Sequence, residues 1–218
     1  MSSKVLILVE GQTEETFIEQ ILAPHLLKKG IYPTASLVTT RRVKGGPDFK
    51  GGVVSYGKVK NDIINLLHDT SATMVTTMFD FYRLPRSFPG QASVMAASCY
   101  ERAAYLENKL REDIRHRKFL PYLELYEFEA MLFASPEHIA QAFPNKDILE
   151  ELRKIRAKFR SPEEINDKRP PSKRLLGLVP EYQKPLHGSS VILEIGLDRI
   201  RNECPHFDDW VTKLETLG

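Results

Sequence analysis

The chain has 218 residues, of which 42% are hydrophobic and 28% charged, which is enough apolar content for one substantial core and too much for a disordered chain. Its formal net charge of +2 lacks the clear basic excess of a dedicated nucleic-acid-binding protein. The two cysteines, Cys99 and Cys204, exclude a disulfide framework and a four-thiolate zinc site. The first apolar run, Val5 to Val9, is too short for a signal-peptide core or a membrane span. We therefore expect a cytoplasmic protein with no membrane association.

Two apolar runs predict buried parallel strands that each end at an acidic residue. Val5 to Val9 is followed by Glu10, and Thr73 to Phe79 is followed by Asp80. The other elements predicted for this half are a helix capped by Thr13, with a kink at Pro24 and a stop at Gly30, a strand over 36–43, a glycine-rich loop over 45–52, and a helix over 58–67.

The second half of the chain continues the alternation of strands and helices and then becomes irregular. The predicted elements are a loop over 82–89, a helix over 100–115, a strand over 119–125, a helix over 127–133, and a helical, proline-interrupted tail after Pro144 with a last helix over 192–201. This order predicts an α/β fold with a mainly parallel, Rossmann-like sheet flanked by helices. We divide it into an α/β core over 1–145 and a helical, basic C-terminal extension over 146–218 that packs on the same domain.

Acidic residues at strand ends predict where chemistry takes place. Binding sites of parallel sheets lie at the carboxyl ends of the strands, where Glu10 and Asp80 fall, with Glu124 and Glu127 as further candidates. Carboxylates that meet there repel one another unless a cation or a shared proton intervenes, and oxygen ligands favour Mg²⁺ or Mn²⁺. Phosphate chemistry is the natural use of such an ion. The alternative is that Glu10 only shapes a turn and that Glu14 and Glu15 only complement a helix dipole.

Basic residues in the C-terminal part offer a complementary surface. Residues 153–174 contain nine Lys or Arg against three acids, a net charge of +6, which suits contact with a phosphate backbone. Arg153 to Arg160 is interpreted mostly as a solvated helix face. Lys173, Arg174, Lys184 and His187 are better candidates for phosphate contacts, because they lie in a segment stiffened by prolines. Cys204 is assigned to packing, since a nucleophilic pair with His206 has no clear third member and Pro205 lies beside it.

Two short motifs resemble the Toprim domain of topoisomerases, primases and overcoming-lysogenization-defect nucleases. Val9-Glu10-Gly11-Gln12-Thr13-Glu14 follows the first strand, and Phe79-Asp80 ends a later one. Nearly the whole chain is also similar to a bacterial family of Toprim-like proteins of unknown function. That similarity is carried by five runs, namely TTMFDFY at 76–82, EFEAMLF at 127–133, PSKRLL at 171–176, YQKPLHG at 182–188 and CPHF at 204–207.

The resemblance implies a Toprim-like fold and an Mg²⁺-dependent nuclease. It assigns Glu10, Glu14 and Asp80 to the metal, and Glu10 and Asp80 to catalysis. The basic residues Lys173, Arg174 and Lys184 of the proline-stiffened segment are added as catalytic candidates that would hold the scissile phosphate. Tyr82 stands where the second aspartate of Asp-x-Asp is expected. This departure leaves three alternatives: one metal instead of two, replacement of the missing acid by Glu127 or Glu129, or a site that binds without cutting.

Two functions follow from this resemblance. The first is Mg²⁺-dependent cleavage of DNA or RNA by an effector of bacterial phage defence. The second is an interaction subunit with an incomplete site that acts with an ABC-type ATPase, since Toprim-like effectors of phage defence are often paired with such ATPases. The oligomeric state is left open.

Overall fold

The computed structural model describes residues 2–38, 55–82, 84–95, 98–166 and 168–218. Its centre is a parallel sheet in which β1 lies between β2 and β3, while β3 also pairs with β4 and, at its carboxyl end, with β5. The strands are β1 (Ser3–Val9), β2 (Ile31–Leu37), β3 (Ala72–Asp80), β4 (Phe119–Leu120) and β5 (Leu123–Glu124). The predicted α/β class with a mainly parallel sheet flanked by helices is confirmed.

Helices cover both faces of the sheet. The α-helices are α1 (Gln12–Phe17), α2 (Ala23–Leu27), α3 (Tyr56–Leu67), α4 (Cys99–Ile114), α5 (Glu129–Leu132), α6 (Pro136–Gln141), α7 (Leu149–Arg156), α8 (Pro171–Leu178), α9 (Ser189–Ile195), α10 (Leu197–Glu203) and α11 (Pro205–Glu215). Two π-helical segments, Ile18–Leu22 and Lys184–Gly188, and one 3₁₀ turn, Pro162–Glu164, complete the described helical structure.

Alternate residues of β1 enter two different cores, because successive side chains of a strand point to opposite faces. Val5, Ile7 and Val9 join a core with α1 and the C-terminal helices, while Leu6 and Leu8 join a core with α3 and α4. A strand buried on both faces reads as a continuous apolar run, which is why β1 and β3 were predictable.

The C-terminal part packs into the core of the sheet. The Trp210 indole of α11 donates a hydrogen bond to Thr76 Oγ1 in β3 (2.9 Å) and stacks on Tyr122 with ring centroids 4.4 Å apart. Cys204 is fully buried in the same core, as expected for a packing residue. The division of the chain at residue 145 stays a prediction.

Two predicted strands need correction. The strand predicted over 36–43 begins at Ile31, directly after Gly30 reverses the chain with φ +72°. It was hard to detect because β2 is an edge strand of the described sheet, half exposed, and accommodates Pro33 as edge strands can. Its predicted end and the glycine-rich loop over 45–52 lie outside the described residues. The strand predicted over 119–125 is split into β4 and β5, since Pro121 lies between them and has no N–H for a ladder.

Three predicted helices also differ. Gly11 and not Thr13 caps α1, and Thr13 is buried inside the first turn. The helix predicted over 127–133 is limited to α5, so Glu127 precedes it. The last helix, predicted over 192–201, is two helices broken at Gly196 (φ +75°), and α11 follows them from Pro205. In the part of the chain that the structure describes, no helix is both long and apolar enough to span a bilayer.

Candidate functional site

Glu10 and Asp80 meet at the carboxyl edge of the sheet, as predicted from their positions at the ends of two strands. Val9 of β1 pairs with Met78 of β3, so the residues that follow emerge side by side. Glu10 Oε1 accepts a hydrogen bond from the Asp80 backbone N–H at 2.9 Å. Asp80 Oδ1 in turn accepts one from the Phe128 N–H at 2.8 Å. Both carboxylates are thus fixed by the backbone of a neighbouring segment.

Helix α1 brings a third acid to this edge. Glu14 lies in its first turn and is 3% exposed. A Cβ atom at Gly11 would lie 3.3 Å from Glu14 Oε2, so the glycine lets the carboxylate fold back against the strand-to-helix turn. A surface glutamate that only complements a helix dipole does not need to be buried, which argues against that alternative.

Lys184 is the cation of the cluster. Its Nζ lies 2.7 Å from Glu14 Oε1, 3.4 Å from Asp80 Oδ2 and 3.7 Å from Glu129 Oε2. The side chain is 27% exposed, whereas those of Glu14 and Glu129 are almost fully buried. Nζ also lies 5.2 Å from the centroid of the Phe128 ring, a distance typical of a cation–π contact. The ammonium therefore bridges segments from three parts of the chain.

One ammonium does not balance the acids around it. Burial, followed by the charge of Asp80, raises the pKa of Glu10 well above its ordinary value. Burial likewise raises the pKa of Glu14, and that of Glu129 to about 7. Burial lowers the pKa of Lys184, but Asp80, Glu129 and Glu14 more than offset this and hold it above its ordinary value. The lysine stays charged, and burial disfavours the charged form of the surrounding glutamates unless a second cation compensates them.

Two further acids border the cluster. Glu124 is paired with Asp80 in the strand register, is buried, and accepts a hydrogen bond from the Tyr122 hydroxyl at 3.0 Å. Burial and then the charge of Asp80 raise the pKa of Glu124 well above its ordinary value. Glu127 Oε2 accepts a hydrogen bond from the Ser172 N–H at 2.9 Å, so it faces the start of α8. The charges of Asp80 and Lys184 act on the Glu127 carboxylate. Its hydrogen bond, however, connects it to α8.

The predicted basic residues fall in different places. Lys184 lies in the acidic cluster, at the start of a π-helical segment. Lys173 is exposed on α8, and Arg174 of the same helix packs its guanidinium 5.4 Å from the Phe159 ring centroid. His187 Nδ1 accepts the Gln183 N–H at 2.9 Å. These residues were expected in an irregular segment, and the prolines instead begin short helices, where proline is tolerated.

The Arg153 to Arg160 stretch is a charged helix face only in its first part, because α7 ends at Arg156. Arg153 pairs with Glu137 and Glu150, and Lys154 pairs with Glu151, all with largely exposed side chains. Arg156 differs, because its guanidinium is mostly buried and pairs with Glu203 of α10 at 2.6 Å. It ties α7 to the C-terminal helices.

The oxygen ligands of the cluster suit a hard cation, but in this structure they surround the Lys184 ammonium. Every acidic ligand atom is a carboxylate oxygen, the type that Mg²⁺ and Mn²⁺ prefer. Across the described residues, no three His, Cys, Asp or Glu side chains are grouped as they would be around a bound metal. Lys184 lies among the carboxylates instead. Binding of a divalent ion therefore requires the lysine side chain to leave the carboxylates.

Fold and site together define an α/β protein with a buried acidic cluster at the carboxyl edge of a parallel sheet. The chain belongs to the family DUF4276, a domain of unknown function, which matches residues 9–215. This confirms the family-level resemblance seen in the sequence.

Two solved structures similar to the chain are C-terminal regions of OLD proteins. That of Burkholderia pseudomallei is 16% identical with a TM-score of 0.44, and the match covers 97% of this chain and 100% of the other. That of Xanthomonas campestris pv. campestris is 20% identical with a TM-score of 0.40, and the match covers 97% of both chains. None of the curated proteins compared with the chain matches it.

Sequence reasoning found most of the cluster and missed part of it. Glu10, Glu14, Asp80 and Lys184 were singled out and are brought together. Glu129 was considered only as one possible replacement for the missing aspartate, yet it is the third acid that faces Lys184. Tyr182 was not singled out, although it begins the YQKPLHG run that supplies the lysine. A charged residue inside an apolar run such as 127–133 was the available signal for Glu129.

Proposed function

We propose that the protein is a divalent-metal-dependent, Toprim-like nuclease that cleaves phosphodiester bonds of DNA or RNA. The observation that carries this proposal is the excess of buried carboxylates around a single ammonium at the sheet edge. Buried acids are costly unless they are paired, protonated or bound to a cation, and they cluster where function demands them.

Glu10, Glu14 and Asp80 would hold Mg²⁺ or Mn²⁺, with Glu129 or Glu124 as the acid that replaces the missing aspartate. When bound there, the ion supplies a Lewis acid for the phosphodiester and lowers the pKa of water. Backbone hydrogen bonds hold Glu10 and Asp80 in place before any ligand arrives. Such preorganisation is what a site for a developing charge requires.

Lys184 would serve as the phosphate-binding group of this site. Its ammonium remains charged, so it acts as an electrostatic partner and not as a general base. With Glu14 and Asp80 holding a metal ion, the Lys184 ammonium would be free to bind a phosphate oxygen of the substrate.

Helix α8 would supply contacts to the nucleic-acid backbone. Ser172 links the start of this helix to Glu127 at the edge of the cluster, and Lys173 lies next to it on the exposed side. Arg174 has a buried Nε without a hydrogen-bond partner among the described residues. A guanidinium group suits phosphate oxygens, because it can bind two of them at once.

A cleavage assay on single- and double-stranded DNA and RNA with Mg²⁺ or Mn²⁺ tests this function. We expect Glu10→Gln and Asp80→Asn to abolish cleavage while much of the nucleic-acid affinity remains. Lys173→Ala combined with Arg174→Ala should instead weaken binding and reduce its salt dependence, with Lys154→Ala as a matched control on the solvated face. Cleavage that survives Asp80→Asn would contradict the assignment of the site.

The second candidate is an interaction subunit that acts with an ATPase. The observation that favours it is Lys184, which pairs with the acids where a metal ion would lie, together with Tyr82 at the position of the second aspartate. No cleavage by the wild type, alone or with any ABC-type ATPase found to be encoded beside it, would favour this candidate.

A further inference from the structure

Tyr182 carries a buried hydroxyl group that the fold itself leaves unused. The residue is 8% exposed, and its Oη has no hydrogen-bond partner among the described residues. Buried hydroxyl groups nearly always find a partner, because burial without one costs free energy. An exception in a native fold calls for an explanation, and a ligand that supplies the missing partner is one.

The hydroxyl and the aliphatic stem of Lys184 both lie against Gly188. A Cβ atom at Gly188 would approach Tyr182 Oη to 2.9 Å and Lys184 Cγ to 3.7 Å, so both side chains converge on this glycine. A methyl group there would press on the hydroxyl, and only glycine leaves it room. The YQKPLHG run thus folds so that the tyrosine, the lysine and the glycine form one corner of the acidic site.

The charges around Tyr182 keep it a hydrogen-bond donor. Burial, and then the negative charge of Glu129, raise the pKa of the Tyr182 hydroxyl, with Lys184 opposing them. The hydroxyl therefore keeps its proton at every physiological pH. A neutral donor beside an ammonium is suited to an anionic oxygen, because hydrogen bonds to charged acceptors are the stronger ones.

We propose that Tyr182 is a substrate-binding residue whose hydroxyl donates a hydrogen bond to the phosphate oxygen bound by Lys184. The proposal rests on the proposed function and adds a residue to it. Tyr182 Oη is buried in this structure, in which Lys184 pairs with the carboxylates. It would meet the phosphate if the lysine side chain, 27% exposed, turned outward to bind the same group.

The experiment compares Tyr182→Phe with wild type, using a labelled oligonucleotide as the probe. The variant removes one oxygen atom and keeps the ring, so the unliganded protein should melt at the same temperature or higher, because no hydrogen bond is lost. We expect kcat/KM for cleavage to fall about 10- to 100-fold, the usual effect of removing one donor to a charged group. Tyr32→Phe, on the exposed edge strand, is the matched control and should change neither quantity.

The outcomes separate this inference from the function on which it rests. A wild type that cleaves, with an equal kcat/KM for Tyr182→Phe, overturns the role of Tyr182 and leaves the nuclease intact. A lower melting temperature for Tyr182→Phe with unchanged kinetics also overturns it, since the hydroxyl then has a structural partner such as a buried water molecule. A wild type that neither binds nor cleaves the oligonucleotide contradicts the nuclease, and the inference with it.

Discussion

At the level of single residues, Lys184 determines the charge balance of the site. It faces Glu14, Asp80 and Glu129, and no other Lys or Arg in the described part of the chain pairs with these acids. Removing one partner from a buried ion pair leaves an uncompensated charge, which is more costly than replacing the whole pair. The stability of the fold therefore depends on a residue that the proposed mechanism also uses.

Lys184→Met should lower the free energy of unfolding by about 3 kcal/mol near neutral pH, because the methionine keeps the packing and removes the charge. The loss should be smaller at pH 5, because Glu129, whose pKa is raised to about 7, is protonated there. Urea unfolding in metal-free buffer measures both. Lys154→Met, an exposed lysine paired with Glu151, is the control and should change stability by no more than about 0.5 kcal/mol. Equal effects of the two variants would contradict the role of Lys184.

Glu129 makes the stability of the protein depend on pH. Its pKa is raised by burial to about 7, so the folded protein holds a proton that the unfolded chain has released above its ordinary pKa. Stability contributed by this group is therefore lost as the pH rises from about 4.5 towards 7 and stays lost above that. Glu129→Gln should flatten this fall and leave the variant more stable than wild type at pH 8 by up to roughly 3 kcal/mol.

Urea unfolding at pH 5, 6, 7 and 8 in metal-free buffer checks this prediction. Glu150→Gln, on a largely exposed glutamate of α7, is the matched control and should leave the pH profile unchanged. If the free energy of unfolding of Glu129→Gln depends on pH in the same way as that of the wild type, the raised pKa of Glu129 is contradicted.

At the level of secondary-structure elements, the predictions failed where a proline or glycine breaks the backbone pattern. The pattern of apolar residues located β1, β3, α3 and α4, because each is one continuous run on a core face. It placed one strand over 119–125 and one helix over 192–201, where the chain has two elements each. Pro121 and Gly196 interrupt these runs without interrupting the apolar pattern.

Gly196 ends α9 and begins α10 at φ +75° and ψ 161°, a conformation essentially restricted to glycine. No atom lies within 4 Å of a Cβ built there, so Gly196→Ala tests the backbone alone. We expect a loss of about 1–3 kcal/mol in the free energy of unfolding. Gly57→Ala, inside α3 with ordinary contacts, should instead stabilise the protein by about 0.5–1 kcal/mol. The same sign for both variants would contradict this assignment.

At the level of the whole molecule, the C-terminal segment contributes side chains that complete the site. Strands β1 and β3 supply Glu10 and Asp80 from the first half of the chain, whereas Lys184 and Tyr182 arrive from more than a hundred residues further on. Local sequence patterns place the acids on a strand end, because a parallel sheet collects its strand ends at one edge. They do not reveal which distant basic residue will be packed against those acids, since that depends on tertiary contacts.

Binding of a divalent cation to the acidic cluster is the central claim, and thermal unfolding with Mg²⁺ or Mn²⁺ tests it most directly. A ligand that binds only the folded state stabilises it by about 2.7 kcal/mol at a hundred times its Kd. We predict that added Mn²⁺ or Mg²⁺ raises the melting temperature of the wild type, that Asp80→Asn removes this response, and that Asp209→Asn, an exposed acid of α11, retains it. No shift in the wild type, or the same shift in Asp80→Asn, would contradict the claim.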